Sequence, residues 1–234
     1  VEYKLMDMMG YDIRVLGNHE FDNGMADLTK YWKLLKGKAT SANYDFSDTD
    51  LNGVFAPYII KTIAGKKIGF FGLNVDPASL IAEKNIEGVK FRNIVETANK
   101  TAAFLRRDKH CDLVVAVTHI GYNTKQAGKQ TDVDLARASR DIDIIIGGHS
   151  HTKLEEPFKV NDIYIVQAGT GTDEIGRFDI MVDTDLNAID NFTWQMVPID
   201  DAHCPRDEEV EDFIQSYRLS LIHISEPTRP EPIS

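Results

Sequence analysis

Short apolar runs alternate with amphipathic segments along the middle of the chain. Three runs are apolar almost without interruption, which is typical of strands covered on both faces: Lys67–Leu73, Leu113–Val117 and Ile142–Ile146. Between the first two, apolar residues recur at helical spacing from Val95 to Leu105. A shorter helix is predicted over Val133–Ala138, with Asp132 as its N-cap. This alternation predicts strands connected by helices.

The two flanks of this region differ from each other. Before it, the pattern predicts extended runs at Asp12–Leu16 and Thr40–Ala42 around a helix at Met25–Leu35. After it, three extended runs follow with little helix between them and predict hairpins of a second sheet: Ile163–Ala168, Phe178–Val182 and Phe192–Pro198. A helix over Glu208–Tyr217 comes last. The whole predicts an α/β fold with two sheets packed face to face and helices outside.

Composition narrows the classes of protein. The 234 residues are 42% hydrophobic and 27% charged, which indicates a folded domain, predicted over residues 1–218. The net charge of −11 argues against binding polymeric nucleic acid through its backbone. No apolar stretch approaches about 18 residues, so no membrane span is predicted. Cys111 and Cys204 are far apart and form no C-x-x-C pair.

Both ends of the chain differ from those of a typical natural domain. The sequence opens at Val1 rather than Met and runs at once into an amphipathic pattern, so we expect that a preceding segment is missing. No signal peptide is visible. Residues 219–234 contain three prolines and no apolar period, and we expect them to be a disordered, non-native tail.

Three polar clusters follow predicted strands. They are Gly17-Asn18-His19-Glu20, Thr118-His119-Ile120-Gly121 and Gly147-Gly148-His149-Ser150-His151. Because ligands collect at the carboxyl ends of strands in α/β sheets, we expect the clusters to meet in space. Imidazole nitrogens and an amide oxygen suit a divalent metal ion. If the last cluster is extended, His149 and His151 point to the same side.

Each cluster also has a structural interpretation. A single histidine after a strand, such as His119, is more often a buried hydrogen-bonding residue than a metal ligand. Asn18 taken alone would be a turn residue, and Asp132 a helix cap. The H-x-H spacing and the occurrence of all three clusters in one chain favour the metal site.

Taken together, these clusters resemble a known family. The runs GNHEFDNG, VVAVTHIGY and IDIIIGGHSHT are similar to those of calcineurin-like metallophosphoesterases. Within that family, SANYDF, GLNVDP and EEPFKVNDIYIVQAGTG look like the N-terminal domain of bacterial 5′-nucleotidases and 2′,3′-cyclic-nucleotide phosphodiesterases. The resemblance extends from about Val1 to Tyr217 and implies a four-layer αββα sandwich with two mixed β-sheets.

The resemblance also implies two divalent metal ions, for which Zn, Mn, Fe or Co are candidates. One ion would be bound by Asn18, His119 and His149, and the other by His151. His19, beside the ligand Asn18, would be the catalytic histidine, and Asp22 would pair with it. Asn18 and His19 would also contact the nucleotide substrate. The family further implies a periplasmic or cell-surface location.

Two family motifs, D-x-H and G-D, are absent before Gly17. They are expected upstream of Val1, where they would supply most ligands of the ion that His151 binds and the carboxylate that bridges both ions. A C-terminal nucleotide-binding domain is likewise expected to be missing.

Several functions stay open at this point. The chain could be a nucleotidase, a cyclic phosphodiesterase, a protein phosphatase, or an inactive fragment that lacks its first-site ligands. Protein phosphatases usually carry Arg where Leu16 precedes the G-N-H-E motif, and they lack G-G-H-S-H. Repair nucleases of the superfamily carry G-N-H-D and need a DNA-binding surface, which an acidic chain makes unfavourable.

Overall fold

The computed structural model describes residues 1–124 and 129–225. The helices are α1 (Glu2–Met8), α2 (Gly24–Trp32), α3 (Ile94–Arg107), α4 (Asp132–Ala138) and α5 (Glu208–Ser225). The strands are β1 (Ile13–Arg14), β2 (Lys38–Ala39), β3 (Tyr44–Asp45), β4 (Ile59–Ile63), β5 (Lys66–Asn74), β6 (Lys90–Phe91), β7 (Leu113–His119), β8 (Ile144–Ile146), β9 (Phe158–Val160), β10 (Ile163–Val166), β11 (Glu174–Asp183) and β12 (Ala188–Pro198). Within these ranges, no helix is long and apolar enough to cross a membrane.

A mixed six-stranded sheet forms the centre of the fold, in the order β4-β5-β7-β8-β10-β9. The four inner strands β5, β7, β8 and β10 run parallel, and the two edge strands are antiparallel to their neighbours. The remaining described strands form three pairs: β1 with β2, β3 with β6, and β11 with β12. All four inner strands therefore end at the same edge of the central sheet.

Two hydrophobic clusters cover this framework. One packs α3 and α4 onto the central sheet through fully buried residues such as Ala98, Leu105 and Ile145. The other gathers around α2, where Trp32 lies against Phe55 with ring centroids 5.1 Å apart. Small side chains along α3, including those of Ala98 and Ala102, allow the helix to pack closely against the strands.

Residues 40–44 connect the first part of the chain to the central sheet. β4 pairs with β5 only as far as Phe70, so the later half of β5 has a free edge. The segment 40–44 occupies that edge, and the Ala42 amide donates to the Gly72 carbonyl at 2.8 Å. A Cβ on Gly72 would lie 2.2 Å from the Thr40 carbonyl oxygen, so this close approach requires glycine.

The predicted strands over β5, β7 and β8 and the helix α3 are confirmed, with boundaries that differ by a few residues. One strand was assigned to the wrong sheet. β10 was expected in a second sheet of hairpins, but it pairs in parallel with β8 inside the central sheet. The β11–β12 hairpin forms separately, as expected.

Helix ends also differ from the sequence prediction. Thr131, rather than Asp132, caps α4: its side chain accepts from the Asp134 amide, and the Asp134 carboxylate accepts from the Thr131 amide. α5 continues to Ser225, beyond the predicted end at Tyr217 and into the segment expected to be disordered. Residues 226–234 lie outside the described residues.

Asp132 is instead buried against the central sheet. Its Oδ1 accepts a 2.6 Å hydrogen bond from the Thr118 hydroxyl, and its Oδ2 has no hydrogen-bond partner among the residues the structure describes. Burial raises the pKa of Asp132 to about 8, against the opposing effect of the Thr118 hydrogen bond. The carboxyl group is therefore protonated in the folded protein at neutral pH.

This buried carboxyl group makes stability depend on pH. The folded state keeps a proton that the unfolded state releases above its ordinary pKa of 3.8, so unfolding becomes easier as pH rises from about 4 to about 8. The contribution is at most about 1.4 kcal/mol per pH unit. Asp132→Asn should remove this slope, so the wild-type free energy of unfolding, measured by urea unfolding, should fall relative to that of the variant as pH rises across that range. Parallel profiles for the two proteins would contradict the assignment.

Candidate metal centre

Three chain segments meet at the carboxyl edge of the central sheet. β7 ends at His119, the Gly147–Thr152 turn follows β8, and Asn18 lies four residues after β1. Parallel pairing of β7 with β8 places the first two segments side by side. The three polar clusters predicted to meet are therefore adjacent, as expected from their positions at strand ends.

Asn18 lies between two imidazoles. Its Oδ1 is 3.1 Å from His119 Nε2 and 3.1 Å from His149 Nδ1. The two rings lie with centroids 5.1 Å apart. Asn18 is buried and the two histidines are half-buried. The cluster contains the N and O donor atoms that a divalent transition-metal ion takes.

Both histidines are held neutral by their surroundings. Burial lowers the pKa of His119 to about 4, and the neighbouring His149, His19 and His151 act in the same direction. Burial also lowers the pKa of His149, together with the charge of Lys129. A neutral imidazole has a lone pair free for a cation, whereas a protonated one does not.

A buried amide network supports the backbone that leads to Asn18. Asn74 at the end of β5 donates from Nδ2 to the Leu16 carbonyl and accepts from the Ser41 hydroxyl at 2.9 Å. Asn43 donates to the Asn74 carbonyl at 2.7 Å and accepts from the Asn74 amide at 2.8 Å. These residues were not identified from the sequence. One signal was available for Asn74, because it is a polar residue directly after the apolar run Lys67–Leu73.

Two glycines make room for the His119 ring. A Cβ on Gly17 would lie 2.9 Å from the ring atoms Cε1 and Nε2, and a Cβ on Gly148 would lie 3.2 Å from Nδ1. The glycines beside Asn18 and His149 therefore allow both segments to approach the third ligand candidate closely.

The turn that contains His149 and His151 is not extended. His149 has φ +73° and His151 has φ +54°, both in the left-handed region, which costs a non-glycine residue roughly 1–2 kcal/mol each. From the sequence, His149 and His151 were expected to point to the same side if their segment were extended. The segment is not extended, so that reasoning is wrong. The turn must be held by contacts with its surroundings.

His151 is exposed, and its imidazole is not among the donors around Asn18. Across residues 1–124 and 129–225, no group of three or more His, Cys, Asp or Glu side chains is arranged to hold a metal ion. The assembled donor set is thus two histidines and one asparagine, which fits one ion. The described residues do not assemble a ligand set for a second ion around His151.

His19 lies beside this cluster and is paired with Asp22. Its Nδ1 is 2.9 Å from Asp22 Oδ2, and its side chain is 80% exposed. A short 3-10 helix over His19–Phe21 places the two side chains three residues apart on one face. This arrangement leaves Nε2 as the ring nitrogen for an external partner.

A cavity of about 540 Å³ opens next to His149 and Ser150. Phe91 and Ile120 supply apolar surface in its lining, and Asn93 and Thr131 supply polar groups. Its size is in the range of pockets that hold small organic molecules. A small phosphate ester therefore has room beside the Asn18 cluster.

Comparison with known proteins agrees with this geometry. The family model of calcineurin-like phosphoesterases matches residues 2–153, which is more than half of the chain. The chain belongs to the calcineurin-like phosphoesterase family. The matched range includes all three polar clusters and the residues expected from the resemblance.

The relatives of the chain are longer than the chain itself. It is 34% identical to the 5′-nucleotidase of Vibrio cholerae over 76% of its own length and 36% of that protein. It is 27% identical to the trifunctional nucleotide phosphoesterase protein YfkN of Bacillus subtilis, over 94% of the chain and 17% of that protein.

A solved structure shows the same fold. The 5′-nucleotidase precursor from Thermus thermophilus superposes with a TM-score of 0.83 at 26% identity, over 95% of the chain and 45% of that structure. The predicted α/β fold class is thereby confirmed, and a mixed sheet lies at its centre. The chain spans less than half the length of these relatives.

The Asn18 cluster is either a metal site or a set of hydrogen bonds in which the amide oxygen accepts from two imidazoles. We expect His149→Ala to lower the affinity for Zn²⁺ at least about tenfold, because one donor atom is lost. Calorimetric titration of the purified chain with Zn²⁺ measures the effect. His203→Ala is the matched control, since His203 contacts only Asp200 in its hydrogen bonds among the described residues. Equal affinity for His149→Ala and the control would remove the ligand assignment.

Proposed function

We propose that the protein is a metal-dependent hydrolase of nucleotide phosphate esters, of the 5′-nucleotidase type, that acts through a two-metal centre. The observation that carries the proposal is the convergence of Asn18 Oδ1, His119 Nε2 and His149 Nδ1 at 3.1 Å spacing on the carboxyl edge of the sheet. The names of the relatives in Vibrio cholerae and Thermus thermophilus support the substrate class.

Asn18, His119 and His149 would hold one divalent ion, and His151 would contribute to a second. Their mixed N and O donors are compatible with Zn, Mn, Fe or Co. When bound, the ions supply Lewis-acid stabilisation of phosphoryl oxygens and lower the pKa of the attacking water. The local positive charge also offsets the net charge of −11, which otherwise repels an anionic substrate.

His19 is the proposed catalytic residue. Asp22 binds Nδ1, which fixes the orientation of the ring and leaves Nε2 to exchange a proton with the substrate. The ring would stabilise charge on the phosphoryl group or protonate the leaving alcohol oxygen. Asn18 and His19 are adjacent in the chain, so the substrate phosphate would contact both.

Metal stoichiometry is the first test of this function. We expect elemental mass spectrometry of the dialysed chain to find at least one Zn²⁺ or Mn²⁺ per chain, because the Asn18 cluster supplies three donors. A second ion would indicate that further groups join His151. A chain that binds no ion would overturn the proposal.

Substrate choice separates the related activities. We expect metal-dependent phosphate release from AMP to exceed release from a phosphopeptide. Preference for a 2′,3′-cyclic nucleotide would indicate a cyclic phosphodiesterase, and preference for the phosphopeptide a protein phosphatase. No release from any of them with ion bound would indicate an inactive fragment.

His19→Ala tests the division of roles inside the site. Removing a general acid lowers turnover by about 10²–10⁴-fold, so we expect a loss of that size with metal content unchanged. Asp22→Asn should cause a smaller loss, because the ring remains and only its orienting partner changes. Loss of metal from His19→Ala would show that His19 is a ligand instead.

We also propose a periplasmic or cell-surface location, which rests on the family resemblance. Fractionation of cells that express the natural gene tests it, and a purely cytoplasmic signal would contradict it.

A further inference from the structure

Gln167 follows β10 directly and has no role in the function proposed above. Its side chain is 2% exposed and lies beneath the Gly147–Thr152 turn. Oε1 accepts from the Thr152 amide at 2.6 Å and from the Ser150 hydroxyl at 3.0 Å. Nε2 donates to the Gly148 carbonyl at 3.1 Å. One buried amide thus makes three hydrogen bonds to a single short turn.

The partners of Gln167 alternate with the two histidines. Gly148, Ser150 and Thr152 contact the amide, whereas His149 and His151 lie between them. Both histidines have left-handed φ values, which isolated non-glycine residues rarely adopt. The amide therefore holds the residues on each side of the two strained positions.

Other hydrogen bonds act on this turn as well: the Ser150 amide donates to the Gly148 carbonyl at 2.9 Å, Ser150 Oγ lies 2.9 Å from Thr152 Oγ1, and the Thr152 carbonyl accepts from the Gly169 amide at 3.0 Å. Gln167 is the buried side chain that bonds to Gly148, Ser150 and Thr152 together. Backbone bonds to the β10 side fix its two ends: Gly147 donates to Val166 at 2.8 Å, and Leu154 donates to the Gln167 carbonyl at 3.0 Å. Ser150 Oγ also accepts from the Tyr122 amide at 2.9 Å. That bond engages only the side chain of Ser150, whereas Gln167 binds main-chain groups at Gly148 and Thr152.

The close packing around the amide agrees with a fixed orientation. A Cβ on Gly147 would lie 3.0 Å from Gln167 Nε2 and 2.3 Å from Asp132 Oδ2. There is therefore no room for a side chain at position 147, beside the Gln167 amide. Because Gln167 Oε1 accepts from a backbone amide, its oxygen and nitrogen ends are not interchangeable.

We propose that Gln167 is a positioning residue that fixes the left-handed turn and thereby sets the imidazoles of His149 and His151 for metal binding. The part that concerns metal affinity rests on the proposed function. The part that concerns the shape of the turn does not, because it follows from the hydrogen bonds of the chain itself.

The test replaces the amide with a side chain of similar length that cannot form these bonds. Residues that orient metal ligands through hydrogen bonds typically contribute about 10–100-fold to metal affinity. We therefore expect Gln167→Met to weaken Zn²⁺ binding by that factor. In the metal-free protein, we expect faster hydrogen exchange at the amides of Ser150 and Thr152, read by mass spectrometry or NMR. A generally destabilised protein would not show exchange confined to this turn.

Asp143→Ala is the matched control. Asp143 is a half-buried hydrogen-bonding residue just before β8, where it accepts from the Val114 amide at 2.6 Å and from Arg106 at 2.5 Å. It lies at the opposite end of the same strands, so its loss lowers stability without touching the turn. We expect Asp143→Ala to keep wild-type Zn²⁺ affinity and wild-type exchange at Ser150 and Thr152 relative to the rest of the sheet.

The outcomes separate the two proposals. If the wild-type chain binds no Zn²⁺, the proposed function fails, while local exchange in metal-free Gln167→Met still decides the positioning role. If Gln167→Met keeps wild-type affinity and wild-type exchange in the turn, the positioning role is overturned. Should Gln167→Met fail to fold, Ser150→Ala removes the hydroxyl bond to Gln167 together with the hydroxyl's bonds to Tyr122 and Thr152, and we expect a several-fold loss of affinity. Wild-type affinity and exchange in Ser150→Ala would then contradict the proposal.

Discussion

The candidate metal centre depends on one backbone constraint, the left-handed conformation of His149 and His151 in a turn outside any strand or helix. No regular ladder stabilises such a turn, so its shape comes from the sheet beneath it. The parallel pairing of β8 with both β7 and β10 supplies that support. It places the turn against His119 on one side and against Gln167 on the other. The site is therefore a property of three neighbouring strand ends rather than of one motif.

Buried polar groups concentrate at the same edge of the sheet. Asn74, Asn43, Asp132 and Gln167 are each at most 2% exposed there, although burying a polar group is unfavourable unless it is hydrogen-bonded. Asn74 Nδ2 and both ends of the Gln167 amide bond to backbone groups of the segments that contain Asn18 and the two histidines. An apolar edge could not fix these segments, because apolar contacts have little directional preference. The polar network thus stabilises the fold and also fixes the geometry of the site.

Charge adds a second condition. An acidic chain disfavours an anionic substrate, and the donors around Asn18 are neutral because burial keeps both imidazoles unprotonated. In the proposed function, a bound cation would supply positive charge for the phosphate ester. His19, more exposed and paired with Asp22, lies outside this neutral cluster and is suited to proton exchange with a substrate. Burial therefore distinguishes the proposed ligands from the proposed acid.

The sequence by itself determined the strands β5, β7 and β8, the helices α3 and α4, the α/β class and the three polar clusters, because apolar periodicity and strand-end position are local properties. It could not assign β10 to the central sheet, since an isolated apolar run does not specify its partner. It placed the cap of α4 on Asp132, because the sequence does not show whether a side chain points along the helix or into the sheet. Only the tertiary structure brought Asn18 between His119 and His149, 101 and 131 residues away. It alone also gave the H-x-H turn its left-handed form, because that conformation is stable only where distant groups such as the Gln167 amide compensate for it.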